Sequence, residues 1–228
     1  MLILLNPGFV FWTDRKPNVF GLSDASTTGC GAVISLDSQH VCHKLWDSSE
    51  ASKSSTWREL AAIDFAIESF SSVLESSCVK LYRESKAAEK NVEVGSMKPD
   101  LHKLAIKIFG ACLRSKIKLE IQWVPRFETG KEDFISRLID VDDSQLTECF
   151  FATLDGGPHS VDCMATFCNA KVEKFFSRFW NPGSAGVDFL AQSLESENFL
   201  VFPPVVLIAR VLRYLNVQRA LATLLIPF

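Results

Sequence analysis

The run Leu22-Ser23-Asp24-Ala25-Ser26-Thr27-Thr28-Gly29-Cys30-Gly31-Ala32-Val33-Ile34 most limits what this chain can fold into. It sets an acid at the end of an apolar segment, follows it with Ser-Thr-Thr-Gly turn chemistry, and resumes with an apolar, β-branched run. Two antiparallel strands joined by a tight turn are predicted, with Asp24 on the first. A third strand is predicted over 38–46, where Ser-Gln-His-Val-Cys-His-Lys-Leu-Trp alternates, with a polar loop over 47–54 after it.

Helical spacing takes over next. Residues 55–70 begin with a Ser/Thr cap and place Leu60, Ile63, Ala66, Ile67 and Phe70 on one stripe. Glu59 is expected in the first turn of this helix, where an acid commonly serves the helix dipole. Cys78 to Tyr82 is a short strand, Arg83-Glu84 a strand-to-helix turn, and Ser85 starts another helix. Leu101 to Phe109 is helical, with apolar residues at three- and four-residue steps. Leu119 to Pro125 is an alternating strand closed by its proline. Strands and helices in this order define an α/β chain.

Composition narrows the class further. A chain of 228 residues with 47% apolar content is long and apolar enough for a substantial core, which excludes a disordered protein. The net charge of −3 carries no global basic signature, so any nucleic-acid contact must be local. The seven cysteines are odd in number and scattered, without a Cys-x-x-Cys pair, and are expected to be reduced core thiols. Cys163 and Cys168 lie five apart with no second pair to answer them. Met1-Leu2-Ile3-Leu4-Leu5, cut by Asn6-Pro7-Gly8, is too short for a secretory leader or a membrane span. An intracellular location, cytoplasm or nucleus, is expected.

Four segments in order carry a resemblance. They are Ser23-Asp24-Ala25-Ser26 with Gly29 and Gly31-Ala32-Val33; Arg58-Glu59-Leu60 after three strands; Arg83-Glu84-Ser85-Lys86-Ala87-Ala88; and Trp123-Val124-Pro125-Arg126 followed by Glu132-Asp133-Phe134-Ile135-Ser136-Arg137. Together they resemble the ribonuclease H domains of retroelement polyproteins, above all DIRS-like and gypsy-like retrotransposons. The resemblance implies a ribonuclease-H-like mixed sheet with flanking helices over residues 1–140, with Asp133 opening its last helix. It also implies that Asp24, Glu59, Glu84 and Asp133 are catalytic, metal-binding carboxylates. They would hold two Mg²⁺ or Mn²⁺ ions that cut the RNA strand of an RNA–DNA hybrid. A reverse transcriptase lies upstream in that family, so a longer polyprotein is expected, with Met1 marking a fragment or a shortened reading frame.

Departures from the family pattern bear on activity. Family members usually carry Thr-Asp-Asn where this chain has Arg83-Glu84-Ser85. The extra methylene of Glu84 moves the carboxylate by about 1 Å, which can cost on the order of a hundredfold in rate. Arg83, Lys86 and Arg126 are expected to meet phosphates, and a salt bridge from Arg83 to Glu84 would compete with metal. Trp57 and Trp123 are expected in the core. Weak or absent hydrolysis is therefore placed ahead of full activity. The alternative is a catalytically inactive relic that only binds nucleic acid or a protein partner. An integrase-like relative is less favoured, since such proteins use fewer acids and lack the Trp-Val-Pro-Arg strand.

Beyond an acidic linker at Val141-Asp142-Asp143-Ser144, a short strand ends in Asp162. A strand over 199–202, a helix over 206–215 with Arg210 and Arg213 outward, and a strand over 222–226 make a βαβ unit. Val161-Asp162 with Ala165, Asn169-Ala170-Lys171, Phe176-Ser177, Gly186-Val187-Asp188-Phe189 and Phe202-Pro203-Pro204 resemble the Dam-type adenine-methyltransferase-like region that follows ribonuclease H in DIRS-like elements. That implies a small, partial Rossmann-like α/β segment over 141–228. Active members carry Asn-Pro-Pro-Tyr, and here Phe202 replaces the Asn and Val205 the Tyr. The acceptor for the adenine amino group and the stacking ring are both lost. Methyl transfer is expected to be absent, and S-adenosylmethionine is not expected as a cofactor.

Overall fold

The structure, a computed structural model, describes residues 16–36, 38–125, 146–154, 157–194 and 197–226. Strands β1 (Val19–Ala25), β2 (Gly29–Ser35) and β3 (Gln39–Leu45) form an antiparallel meander. Its first turn closes because the Ser26 hydroxyl accepts the backbone N–H groups of Thr28 and Gly29, at 3.1 and 3.0 Å. Strands β4 (Cys78–Arg83) and β5 (Lys118–Trp123) then add in parallel on the free side of β1, giving the sheet order β3-β2-β1-β4-β5.

Parallel neighbours need crossovers, and helices supply them. The segment 47–54, predicted as a polar loop, contains a one-turn helix α1 (Ser48–Ala51). Asp47 and Glu50 form a reciprocal capping box there. Helix α2 (Ser55–Ser69) starts where the Ser54 hydroxyl accepts the Trp57 N–H, and it buries Leu60, Ile63 and Ile67, with Phe70 closing its end. Helix α3 (Lys86–Val94) follows β4 with Ser85 as its cap. Helix α4 (Pro99–Arg114) extends past the predicted 101–109, because Pro99 fits the first helical turn and Arg114 suits the negative end of the dipole. Leu101, Ile108, Ala111 and Cys112 of α4 join α2 and the sheet in the first core. Gly21 lets sheet and core close up, since a Cβ there would lie 2.8 Å from both Ile34 Cγ2 and Leu81 Cδ2.

The C-terminal half has its own core. After α5 (Glu148–Phe151), strands β6 (Val161–Asp162) and β9 (Asn198–Val201) pair with β10 (Leu221–Leu224) in a parallel sheet of order β10-β9-β6. A second small pair is made by β7 (Phe176–Ser177) and β8 (Gly186–Val187). Helix α6 (Ile208–Gln218) is the crossover between β9 and β10, with Arg210 and Arg213 exposed as predicted. It starts after a 3₁₀ turn over Val205–Leu207 and runs beyond 215. Val161, Phe176, Phe189, Phe199, Val201 and Val211 pack together.

The two halves meet along the outer edge of β3. The Trp180 N–H donates to Val41 O at 2.9 Å, the Trp180 ring stands edge-on to His40, and Phe179 does the same to His43. Phe167 packs against Phe65 of α2. An edge that would otherwise present bare backbone groups is thereby covered. Five cysteines are buried, but Cys149 and Cys168 are exposed, so the expectation of core thiols does not extend to those two. No helix among the described residues is long and apolar enough to cross a membrane. The helix expected at Asp133, the Arg126 position and the acidic linker lie outside the described residues.

Candidate functional site at the ends of the central strands

Strands β1 and β4 run parallel in a register that pairs Leu22 with Tyr82. Two residues further along each chain come Asp24 and Glu84, at the same end of the sheet. Strand alternation sorts the neighbouring side chains. Val19, Gly21 and Ser23 of β1, with Val79, Leu81 and Arg83 of β4, face the buried side that α2 covers, while Phe20 and Leu22 take the other side.

Arg83 is therefore an interior residue, 1% exposed. Its Nη1 donates to Ser23 Oγ at 3.1 Å, and its Nη2 makes a close ion pair with Glu59 Oε2. Its Nε has no hydrogen-bond partner. Burial pushes the guanidinium down to about 10, opposed chiefly by the attraction of Asp24. It thus stays cationic at neutral pH.

This arrangement revises two expectations. A phosphate contact is expected of Arg83, but its side chain is sealed inside, and its carboxylate partner is Glu59, not Glu84. Glu59 is the fifth residue of α2, whose first turn holds no acid, so it serves as a counter-ion and not as a dipole cap. Asp24 and Glu84 share one end of the sheet, Glu59 is held by Arg83, and Asp133 lies outside the described residues. Among the described residues, no group of three or more His, Cys, Asp or Glu is placed to hold a metal ion. With Glu59 committed to a guanidinium, the acids among the described residues do not by themselves make the two-metal arrangement implied by the resemblance.

Lys86 is exposed, and its Nζ lies 4.2 Å from the centroid of Trp123. Trp123 is not a core residue as expected. Its indole N–H donates to Glu84 O at 3.0 Å and its backbone N–H to Glu89 Oε1 at 3.0 Å, tying the end of β5 to the β4–α3 turn and to α3. Trp57 does pack against the core, edge-on to Trp46. The rings of Phe20 and Tyr82 stack on the side of the sheet away from α2, with Lys80 Nζ 5.7 Å from the Tyr82 centroid.

In the C-terminal half, Asp162 is a structural acid. It is buried, and its Oδ2 accepts the Lys171 N–H at 3.1 Å, folding the Asn169-Ala170-Lys171 turn over β6. Phe202 lies just past β9, Pro203 is buried, and Pro204 O accepts the Leu207 N–H at the start of the 3₁₀ turn. Burial raises the Asp162 carboxyl above its ordinary value of 3.8, with backbone N–H donation opposing. The folded chain therefore holds this proton to higher pH than the unfolded chain. Its contribution to stability is greatest below about 3.8 and falls as pH rises through the interval up to the raised value. Asp162→Asn, which keeps an acceptor, is expected to flatten that fall. Thermal midpoints of both proteins between about pH 4 and 7 check this; an unchanged difference across that range would refute it.

The strand order and directions, three antiparallel strands continued by two parallel ones with helical crossovers, define a mixed α/β domain with a five-stranded sheet flanked by helices. No family model matches the chain, and no curated protein does. Among solved structures it is similar to RNase H1 from the halophilic archaeon Halobacterium salinarum. That match has 17% identity and a TM-score of 0.42, covering 51% of this chain and 92% of the other. It is also similar to LC11-RNase H1 in complex with an RNA/DNA hybrid, at 16% identity, TM-score 0.45 and the same coverage. The foamy viral protease-reverse transcriptase with an RNA/DNA hybrid matches at 15% identity and a TM-score of 0.36, over 60% of this chain and 22% of that one.

Proposed function

We propose that this chain is a ribonuclease-H-like domain of retroelement origin that engages nucleic acid at the ends of β1 and β4 and hydrolyses RNA–DNA hybrids weakly or not at all. The observation carrying this is the Arg83 guanidinium, which holds Glu59 where metal-dependent hydrolysis would need that carboxylate free. Asp24, Glu84 and Asp133 complete the acid set of the family, and Lys86 and Arg126 are the cations offered to phosphate. Residues 1–140 form this domain in the proposal, and residues 141–228 are a degenerate methyltransferase-like remnant without methyl transfer. Phe202 and Val205 leave it no amide acceptor and no stacking ring at that position. An upstream reverse transcriptase would be the natural covalent neighbour.

The test is a labelled RNA–DNA hybrid incubated with the purified chain and Mg²⁺ or Mn²⁺. Binding without cleavage is expected, and Lys86→Ala should weaken binding and lower its salt dependence by about one ion. Metal-dependent cleavage that Asp24→Asn abolishes would restore the nuclease reading. Absence of any hybrid binding would sink the nucleic-acid part.

A further inference from the structure

We infer that Arg83 is a resident counter-ion, a covalently attached cation that takes up the charge of the acid cluster, so the domain neither needs nor admits a divalent ion beside Glu59. The inference rests on the ribonuclease-H-like reading only for which acids belong to the cluster.

Carboxylates gathered from separate elements repel one another or take up protons unless a cation lies among them. Here α2 supplies Glu59, β1 supplies Asp24, and the cation comes from β4 itself. Arg83 occupies the inward position that follows Val79 and Leu81, where the sheet alternation would place another apolar or small side chain. A guanidinium with no exposed side-chain surface persists only when paired. Its pairing is specific: one fork nitrogen bonds Glu59, the other bonds Ser23, and Asp24 adds a further favourable electrostatic attraction.

The two charges are consequently interlocked. Glu59 cannot turn to a metal ion without stranding a buried arginine. Arg83 cannot leave for a phosphate without stranding Glu59, only 16% of whose side chain is exposed. A divalent ion placed against Glu59 would also lie within a few ångströms of a fixed positive charge, a strongly unfavourable contact away from bulk water. One side chain thus closes the site to metal and stabilises it in the metal's stead.

Mn²⁺ titration of the full chain tests this, by calorimetry and by the electron paramagnetic resonance signal of free Mn²⁺, with thermal midpoints taken in Mn²⁺ and in chelator. Wild type should show only weak, millimolar binding and a midpoint that neither addition moves. Arg83→Thr should bind Mn²⁺ at least tenfold more tightly, and its midpoint should rise with Mn²⁺. Adding Glu59→Gln to Arg83→Thr should remove both gains. Tight binding by wild type, no gain in Arg83→Thr, or a gain that survives Glu59→Gln would each overturn the proposal. An Arg83→Thr chain that stays unfolded even in millimolar Mn²⁺ overturns it too, since the ion then fails to replace the guanidinium. Hybrid binding by the same proteins reports separately: its absence with the Mn²⁺ contrast intact would sink the functional reading and leave the counter-ion standing.

Discussion

Glu59→Gln is expected to destabilise the chain by about 3–5 kcal/mol, the usual cost of removing one partner from a buried ion pair. Glutamine can still accept a hydrogen bond from Nη2, but it cannot balance the charge of an arginine whose side chain is wholly buried. At this chain length the thermal midpoint should fall by roughly 10 °C. The pair itself is not thereby a large source of stability, because desolvation offsets most of its attraction. The discriminating control is therefore Glu59→Gln combined with Arg83→Met, which removes both charges and keeps the bulk. That double variant should recover most of the loss. A single Glu59→Gln change that costs under about 1 kcal/mol, or a double variant no better than the single, would mean that the guanidinium is satisfied elsewhere.

Phe199→Ala is expected to cost about 3–5 kcal/mol, the range for emptying a buried phenylalanine site. Phe199 is 2% exposed on β9, among Val161, Phe176, Val201 and Val211. Its cluster is distinct from the one between α2, α4 and the five-stranded sheet, so the loss should fall unevenly. Amides of β6, β9 and β10 should lose hydrogen-exchange protection while those of β1, β2 and β4 keep most of theirs. The Trp180 bridge onto β3 sets the limit of that independence, because exposing the β3 edge removes its cover. Equal loss of protection in both sheets would show one cooperative unit in place of two.

Local signals account for how much of the fold was legible in the sequence. Ser26 to Gly29 marked the first hairpin, the spacing from Leu60 to Phe70 marked α2, and the run from Phe199 to Ile226 marked the βαβ unit. Asp47-Ser48-Ser49-Glu50 is a capping box written in full, yet four residues show no periodicity, so the segment reads as a polar loop from sequence. The misplacement of Arg83 has a similar origin. Ending the strand at Tyr82 put Arg83 in a solvent-facing turn, whereas continuing the alternation from Val79 and Leu81 by one step would have put it inside. Its partner was out of reach in either case, since the bond to Glu59 joins residues 24 apart on different elements. The same holds for Trp180, whose packing against His40 comes from the meeting of two halves and leaves no local pattern.

The most direct test of the central claim is a crystal of the full chain soaked in Mn²⁺ and measured at the manganese absorption edge. The expected result is guanidinium density between Ser23 and Glu59 and no anomalous peak at coordinating distance from the Glu59 carboxylate. A manganese ion bound by Asp24 and Glu59, with Arg83 turned out to solvent, would contradict it.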